Sequence, residues 1–246
     1  MTFVRVPYPE MSNELWLTLS AAAGWLLDAA QQDKLSRYLD LLLEANRSIN
    51  LTRITDRAAA EVQHVGDALT LLPYLPKEPF AAADVGSGGG VPGIALAIAR
   101  PDATIRLIES TKKKAACLKR FVSELNLTNV MVLDARAEEA GRSSLRESFD
   151  VVTARAVASL EWLAEWCLPL LKVGGKLLAQ KGERVAEEMP TAAKAIHILG
   201  GSAAKVHPVE LPGTTNHVIV EIVKARPTPR QFPRPATQAK GKPIQA

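Results

Sequence analysis

Ten residues of this chain, Asp84-Val-Gly-Ser-Gly-Gly-Gly-Val-Pro-Gly93, have the make-up of a cofactor-binding turn, and they directly follow an apolar run at residues 80–83. Gly86 and Gly88 lack the Cβ atoms that would hold a ligand away from the backbone. A residue that tolerates positive φ also suits a sharp passage from strand to helix. Counted from Gly86, a nicotinamide turn of the form Gly-x-Gly-x-x-Gly needs a third glycine at position 91, where helix packs closely onto strand. Position 91 is Val. The competing interpretation is a glycine-rich surface turn with no ligand.

Read as Asp84-x-Gly86-x-Gly88-x-Gly90, the stretch resembles the loop after the first strand of an S-adenosylmethionine (SAM) methyltransferase. The strand ends downstream supply further polar groups. Glu109 lies roughly twenty residues beyond the glycines, where a carboxylate accepts from ribose hydroxyls or serves the first turn of the next helix. The third strand runs into Asp134-Ala-Arg-Ala137-Glu138-Glu139, and Ala137 and Glu138 are the expected adenine contacts. Arg136 and Glu139 have a simpler use as a solvated ion pair.

The exit of the fourth strand separates kinds of methyl transfer. A transferase acting on an exocyclic base amine calls for Asn/Asp-Pro-Pro-aromatic, whereas this chain has Thr153-Ala-Arg155-Ala. A pyrimidine C5 transferase needs a cysteine nucleophile in such a loop, and Cys117 and Cys167 fall instead in helical segments. An acceptor that is already nucleophilic remains. Guanine N7 has its lone pair in the ring plane and no proton to lose, so in-line positioning in a water-poor pocket can carry the rate. None of His64, His197, His207 and His217 has a recognisable partner, which suits a site without a general base. No residue is assigned as catalytic with certainty. Arg155 is the best candidate, for the SAM carboxylate, an RNA phosphate or the guanine O6 edge, with a surface ion pair as the alternative; Lys181 is a weaker one of the same kind.

These groups need a scaffold. The 246 residues are 47% hydrophobic, enough for one sizeable α/β domain with short appendages, and exclude global disorder. Lys and Arg outnumber Asp and Glu by 30 to 26, so only clustered cations are informative. Lys112, Lys113, Lys114, Lys119 and Arg120 make one such cluster, on a helix. The two cysteines form no metal-ligand or disulfide spacing, and no metal is expected. The apolar stretch 15–30 is interrupted by Thr18, Ser20 and Gly24 and is preceded by Glu10 and Glu14, unlike a membrane span or signal peptide. No membrane partner and a cytoplasmic location are expected.

Residues 1–72 read as a helical extension, with Leu15, Leu19, Ala22 and Leu26 on one apolar stripe and Leu35, Leu39, Leu42 and Ala45 on another. A helix at 58–72 stops at Pro73. Residues 73–224 alternate strands (81–85, 104–109, 130–133, 150–154, 176–180) with helices (93–100, 112–125, 159–171, 184–199), the pattern of a mostly parallel sheet. A hairpin at 203–210 and 217–224 adds two antiparallel strands. Residues 225–246 alternate Arg226, Arg230, Arg234, Lys240 and Lys242 with prolines, a basic tail expected to order only against a partner.

Across most of its length the chain resembles the bacterial 16S ribosomal RNA guanine-N7 methyltransferases, the glucose-inhibited division protein B family. The matching residues are Asn50-Leu-Thr52, His64-x-x-Asp67, the 84–93 loop, Arg155-Ala-Val-Ala-Ser-Leu160, Gln180-Lys-Gly182 and Thr228-Pro-Arg-Gln-Phe-Pro-Arg234. The resemblance implies a class I SAM-dependent fold, Rossmann-like and seven-stranded. It further implies SAM as cofactor, 16S rRNA or the small ribosomal subunit as partner, a monomer, and methylation of guanine N7 at position 527 in standard 16S numbering. It places the cofactor on Gly86, Val91, Ala137, Glu138 and Arg155, beside Asp84, Gly88 and Glu109 from the loop reading. Gly89-Gly90 and Glu109 depart from the commoner Pro-Gly and Asp. Asn50, His64 and Asp67 match without a chemical role, other than bracing the helical extension against the loop. A small-molecule methyltransferase and a non-enzymatic ribosome-assembly factor are the rival readings.

Overall fold

The computed structural model describes residues 12–239 and 241–244; Glu10 and Lys240, named above, lie outside them. Seven strands form one sheet in the order β3-β2-β1-β4-β5-β7-β6. They are β1 (Ala81–Val85), β2 (Thr104–Glu109), β3 (Val130–Asp134), β4 (Phe149–Arg155), β5 (Leu171–Lys181), β6 (Lys205–Val209) and β7 (His217–Val223). The first five run parallel, and β7 pairs antiparallel with both β5 and β6. The order reverses between β1 and β4, so the ligand crevice is expected above the carboxyl ends of those strands.

Strand alternation sorts residues between two cores. Ala82, Ile105, Leu107, Val151, Leu178 and Ile219 pack on one face, with α1 (Ser12–Ala22), α2 (Ala29–Asn46), α4 (Gly93–Ala99) and α5 (Lys112–Glu124). Ala83, Val85, Ile108, Val152, Ala154 and Val220 pack on the other, with α7 (Leu160–Cys167) and α8 (Val185–Ile198). With a period of two, Thr153, Arg155 and Gln180 share the face of Val151 and Leu178, toward the N-terminal helices. Here α3 denotes Arg57–Ala60, a π-helical turn Glu61–Gly66 and Asp67–Leu69; α6 is the single turn Ala137–Ala140.

Three expectations are corrected. The apolar stripe of α1 does not include Ala22 and Leu26: the helix stops at Ala22, Gly24 turns the chain at φ +81°, and Leu26 is 82% exposed. Trp16 is buried in their place and its indole N–H donates to Glu61 O at 3.0 Å. The helix expected at 159–171 ends at Cys167, and a 3₁₀ turn at Leu168–Leu170 leads into a longer β5. The tail does not wait for a partner. Phe232 joins the second core, Arg146 donates to Thr228 O and Phe232 O at 2.6 Å each, and Arg234 makes a bidentate pair with buried Glu165 at 2.7 and 2.6 Å.

Candidate active site

The glycine loop is held by two carboxylates below it. Asp84 is buried at the end of β1, accepting from Thr153 Oγ1 at 2.9 Å and from the Gly93 amide at 3.3 Å. Burial pushes its carboxyl up to about 6 against those bonds. Glu109 closes β2, accepting from the Gly88 amide at 2.9 Å and from the Thr111 amide at 2.7 Å. It therefore serves the glycine loop and the start of α5 together, and its remaining lone pairs are what a ribose would meet. From the other side Tyr38 of α2 donates to Gly89 O at 2.9 Å. Gly86, Gly88 and Gly90 all have positive φ.

Beside the loop lies an open cleft of about 160 Å³ walled by Gly86, Ile108, Ser110, Ala137, Glu138, Val157 and Trp166. It unites Gly86, Ala137 and Glu138, three residues expected to hold the cofactor. Sequence reasoning missed Ile108, Ser110, Val157 and Trp166. A Cβ on Gly86 would lie 2.6 Å from Val157 Cγ2, so glycine there lets the segment after β4 close over the loop. An apolar slot with an indole wall and the Glu138 carboxylate fits a purine bearing an exocyclic N–H, so the residues present suit the adenosine portion of SAM. Gly88 gives its amide to Glu109, and Val91 packs against the core; neither lines the cleft.

Arg155 leaves β4 toward the N-terminal helices. Its Nη1 donates to Gln63 O at 2.7 Å and to Asp67 Oδ2 at 2.9 Å, and its Nη2 stands 3.1 Å from His64 Nδ1. His64 Nε2 is 3.0 Å from Thr52 Oγ1, and Gln180, opposite Arg155 in β5, donates to Asp67 O at 2.7 Å. The expectation that the histidines lack partners is thus corrected: His207 also meets Glu221 at 2.9 Å, and His217 lies 3.6 Å from Asp67. The signal was available, because His64 and Asp67 are spaced i, i+3 and can share a helix face. Burial, with the Arg155 charge second, brings His64 down to about 3, so its ring is neutral at physiological pH. Lys181 donates to Ala158 O at 2.9 Å and pairs with Glu188 at 2.6 Å, tethering the segment over the glycine loop.

Cys117 and Cys167 are buried, free thiols, both pushed up by burial and unsuited to nucleophilic attack. Among the described residues no group of three or more His, Cys, Asp or Glu side chains is placed to hold a metal ion, and no helix is long and apolar enough to cross a membrane.

Residues 31–218 match the family model described as rRNA small subunit methyltransferase G, GidB. The chain belongs to the GidB family. Among GidB relatives, the ribosomal RNA small subunit methyltransferase G of Roseiflexus sp. strain RS-1 is 43% identical over 222 residues, 90% of this chain and 95% of that one. The protein of the same name from Lactobacillus johnsonii is 39% identical over 241 residues, 95% of this chain and all of the other. The fold is also that of a SAM-dependent methyltransferase from Aquifex aeolicus, with a TM-score of 0.55 at 15% identity over 71% of this chain and 97% of that one. The GidB match takes in the glycine loop, the α6 turn, Arg155 and the His64–Asp67 cluster, and ends before the tail segment 226–235.

Proposed function

We propose that this protein transfers the methyl group of SAM to N7 of guanine 527 of 16S rRNA, in the small ribosomal subunit. The observation that carries the reading is a built cofactor cleft whose described lining holds no histidine and no cysteine: both cysteines are buried elsewhere, and the histidine beside Arg155 is neutral and paired on both nitrogens. SAM supplies an electrophilic methyl on sulfonium sulfur. With SAM bound, its C–S bond would break as the N7–C bond formed and the positive charge would pass to the guanine, leaving the chain's residues no proton to remove. The chain's work is then to bind, to align and to exclude water. Gly86, Ala137, Glu138 and Trp166 seat the adenosine, Glu109 meets the ribose and Arg155 takes the carboxylate.

The exposed cations of α5, Lys112, Lys113, Lys119 and Arg120, together with Arg226 and Arg230, are offered to phosphates. A cytoplasmic site of action follows, where ribosomal subunits are assembled. The test is transfer from methyl-tritiated SAM to small subunits lacking the modification, followed by nucleotide mapping. Label at N7 of that guanine is the expected result. Label on another base, or none on RNA, overturns the assignment.

A further inference from the structure

Two residues singled out in the sequence without a chemical role, His64 and Asp67, converge on one guanidinium, and Thr52 of the Asn50-Leu-Thr52 run stands behind His64. Arg155 cannot accept a hydrogen bond, so His64 Nδ1, at 3.1 Å from Nη2, must be the unprotonated nitrogen. The proton therefore sits on Nε2 and is donated to Thr52 Oγ1 at 3.0 Å. That hydroxyl oxygen also accepts from the Ile54 amide at 3.0 Å, which fixes it in the 46–56 loop. One tautomer is thereby selected by the groups on either side of the ring.

The count of donors points the same way. A guanidinium carries five N–H groups. Three are spent on Gln63 O, Asp67 Oδ2 and His64 Nδ1. Among the described residues the Nε–H and one Nη2–H have no partner, and the side chain is 19% exposed. An Nε–H and an Nη2–H in a guanidinium plane that is already fixed are the donor pair a carboxylate can take in bidentate fashion. Asp67 is itself fixed, through its carbonyl, by Gln180 at 2.7 Å.

We propose that His64 and Asp67 are positioning residues, holding the plane of Arg155 so that its two uncommitted N–H groups receive the α-carboxylate of the methyl donor. The inference rests on the cofactor role given to Arg155 above and is independent of the RNA target. Its physical content is preorganisation: a guanidinium locked before binding loses less rotamer freedom when the ligand arrives.

The test is calorimetric titration of the full chain, without RNA, using SAM and decarboxylated SAM. In His64→Ala, SAM is expected to bind about tenfold more weakly, roughly 1.4 kcal/mol, while decarboxylated SAM loses less than about twofold. His64→Asn, whose Oδ1 can replace Nδ1 as acceptor, is expected to recover most of the loss. His64→Gln, whose amide reaches the Thr52 side instead, is expected not to. Should His64→Ala fail to fold, Asp67→Asn provides the same comparison of the two ligands. Equal loss of both ligands, or retained SAM affinity in a folded variant, overturns the proposal. Equal rescue by Asn and Gln does so as well, since a bracing role alone would not tell them apart. If wild-type protein binds the two ligands equally, the carboxylate assignment of Arg155 fails and this proposal with it. Absence of methyl transfer to RNA alongside the expected titrations leaves it standing and removes only the target.

Discussion

Asp84 is a carboxylate 1% exposed, and this gives the fold a pH dependence opposite in sign to that of a salt-bridged acid. Its folded pKa of about 6 lies above the ordinary 3.8, so the folded chain keeps the proton longer than the unfolded chain. Its contribution to stability is complete below about 3.8, falls as the pH rises through about 6, and is level beyond that. Two units correspond to about 3 kcal/mol at most. Asp84→Asn is expected to remove this slope, so the stability difference between wild type and variant in urea titrations declines from pH 4 to pH 6 and then flattens. Parallel curves would contradict it. Gly86→Ala tests the loop directly: φ is +71° and the new Cβ meets Val157 at 2.6 Å, so both fold stability, by about 1 kcal/mol, and SAM affinity should fall. Gly174→Ala, at φ +89° with open space around it, should cost stability alone. The turn from strand to helix was legible in its glycines, but their spacing was less decisive about a ligand than it looks. Gly88, Gly90 and Gly93 satisfy the nicotinamide pattern too, and a Cβ on Gly93 would lie 2.3 Å from Leu107. The proposal of SAM over a nicotinamide therefore rests on residues beyond the loop, Glu138 in the α6 turn and Arg155 at the end of β4 above all.

At the scale of elements, α2 is the arm that holds the glycine loop from behind. Tyr38 is fully buried, edge-on to Phe121, and its hydroxyl serves Gly89 O. Tyr38→Phe keeps the ring and leaves that buried carbonyl without its partner, so a loss of about 1–3 kcal/mol in chemical denaturation is expected, with weaker SAM binding. Unchanged values for both would detach α2 from the loop. The stripe Leu35, Leu39, Leu42, Ala45 was legible because all four face one core through an uninterrupted helix. The α1 stripe was not, since Gly24 ends that helix before a fourth position can repeat. The π-helical turn at Glu61–Gly66 had no local signature either. Such turns depend on what the helix packs against, and this one carries His64 to Arg155 and Glu61 O to Trp16.

For the whole molecule, the cations of the segment after β7 occupy two environments that composition merged into one. Arg234 is internal, tied to Glu165, which is 1% exposed; Arg226 and Arg230 are exposed. Arg234→Ala strands a buried carboxylate, so a loss of about 3–5 kcal/mol and a lower Tm are expected. Arg226→Ala with Arg230→Ala should leave Tm and SAM titrations unchanged while reducing the salt dependence of RNA binding by about one slope unit for each phosphate no longer neutralised. The reverse pattern would exchange their roles. The basic, proline-rich character of the segment was legible, whereas Glu165, the residue that binds it, sits in an apolar helix with nothing to mark it as a docking point. Arg234 also lies over Trp162, which stacks on Trp166, a wall of the cleft beside the glycine loop. During synthesis the glycine loop leaves the ribosome well over a hundred residues before Arg234 does. A nascent chain therefore carries an unbuttressed cleft until its tail is released, and a product interrupted shortly after β7 would expose the Glu165 carboxylate and be open to degradation before it could sequester SAM.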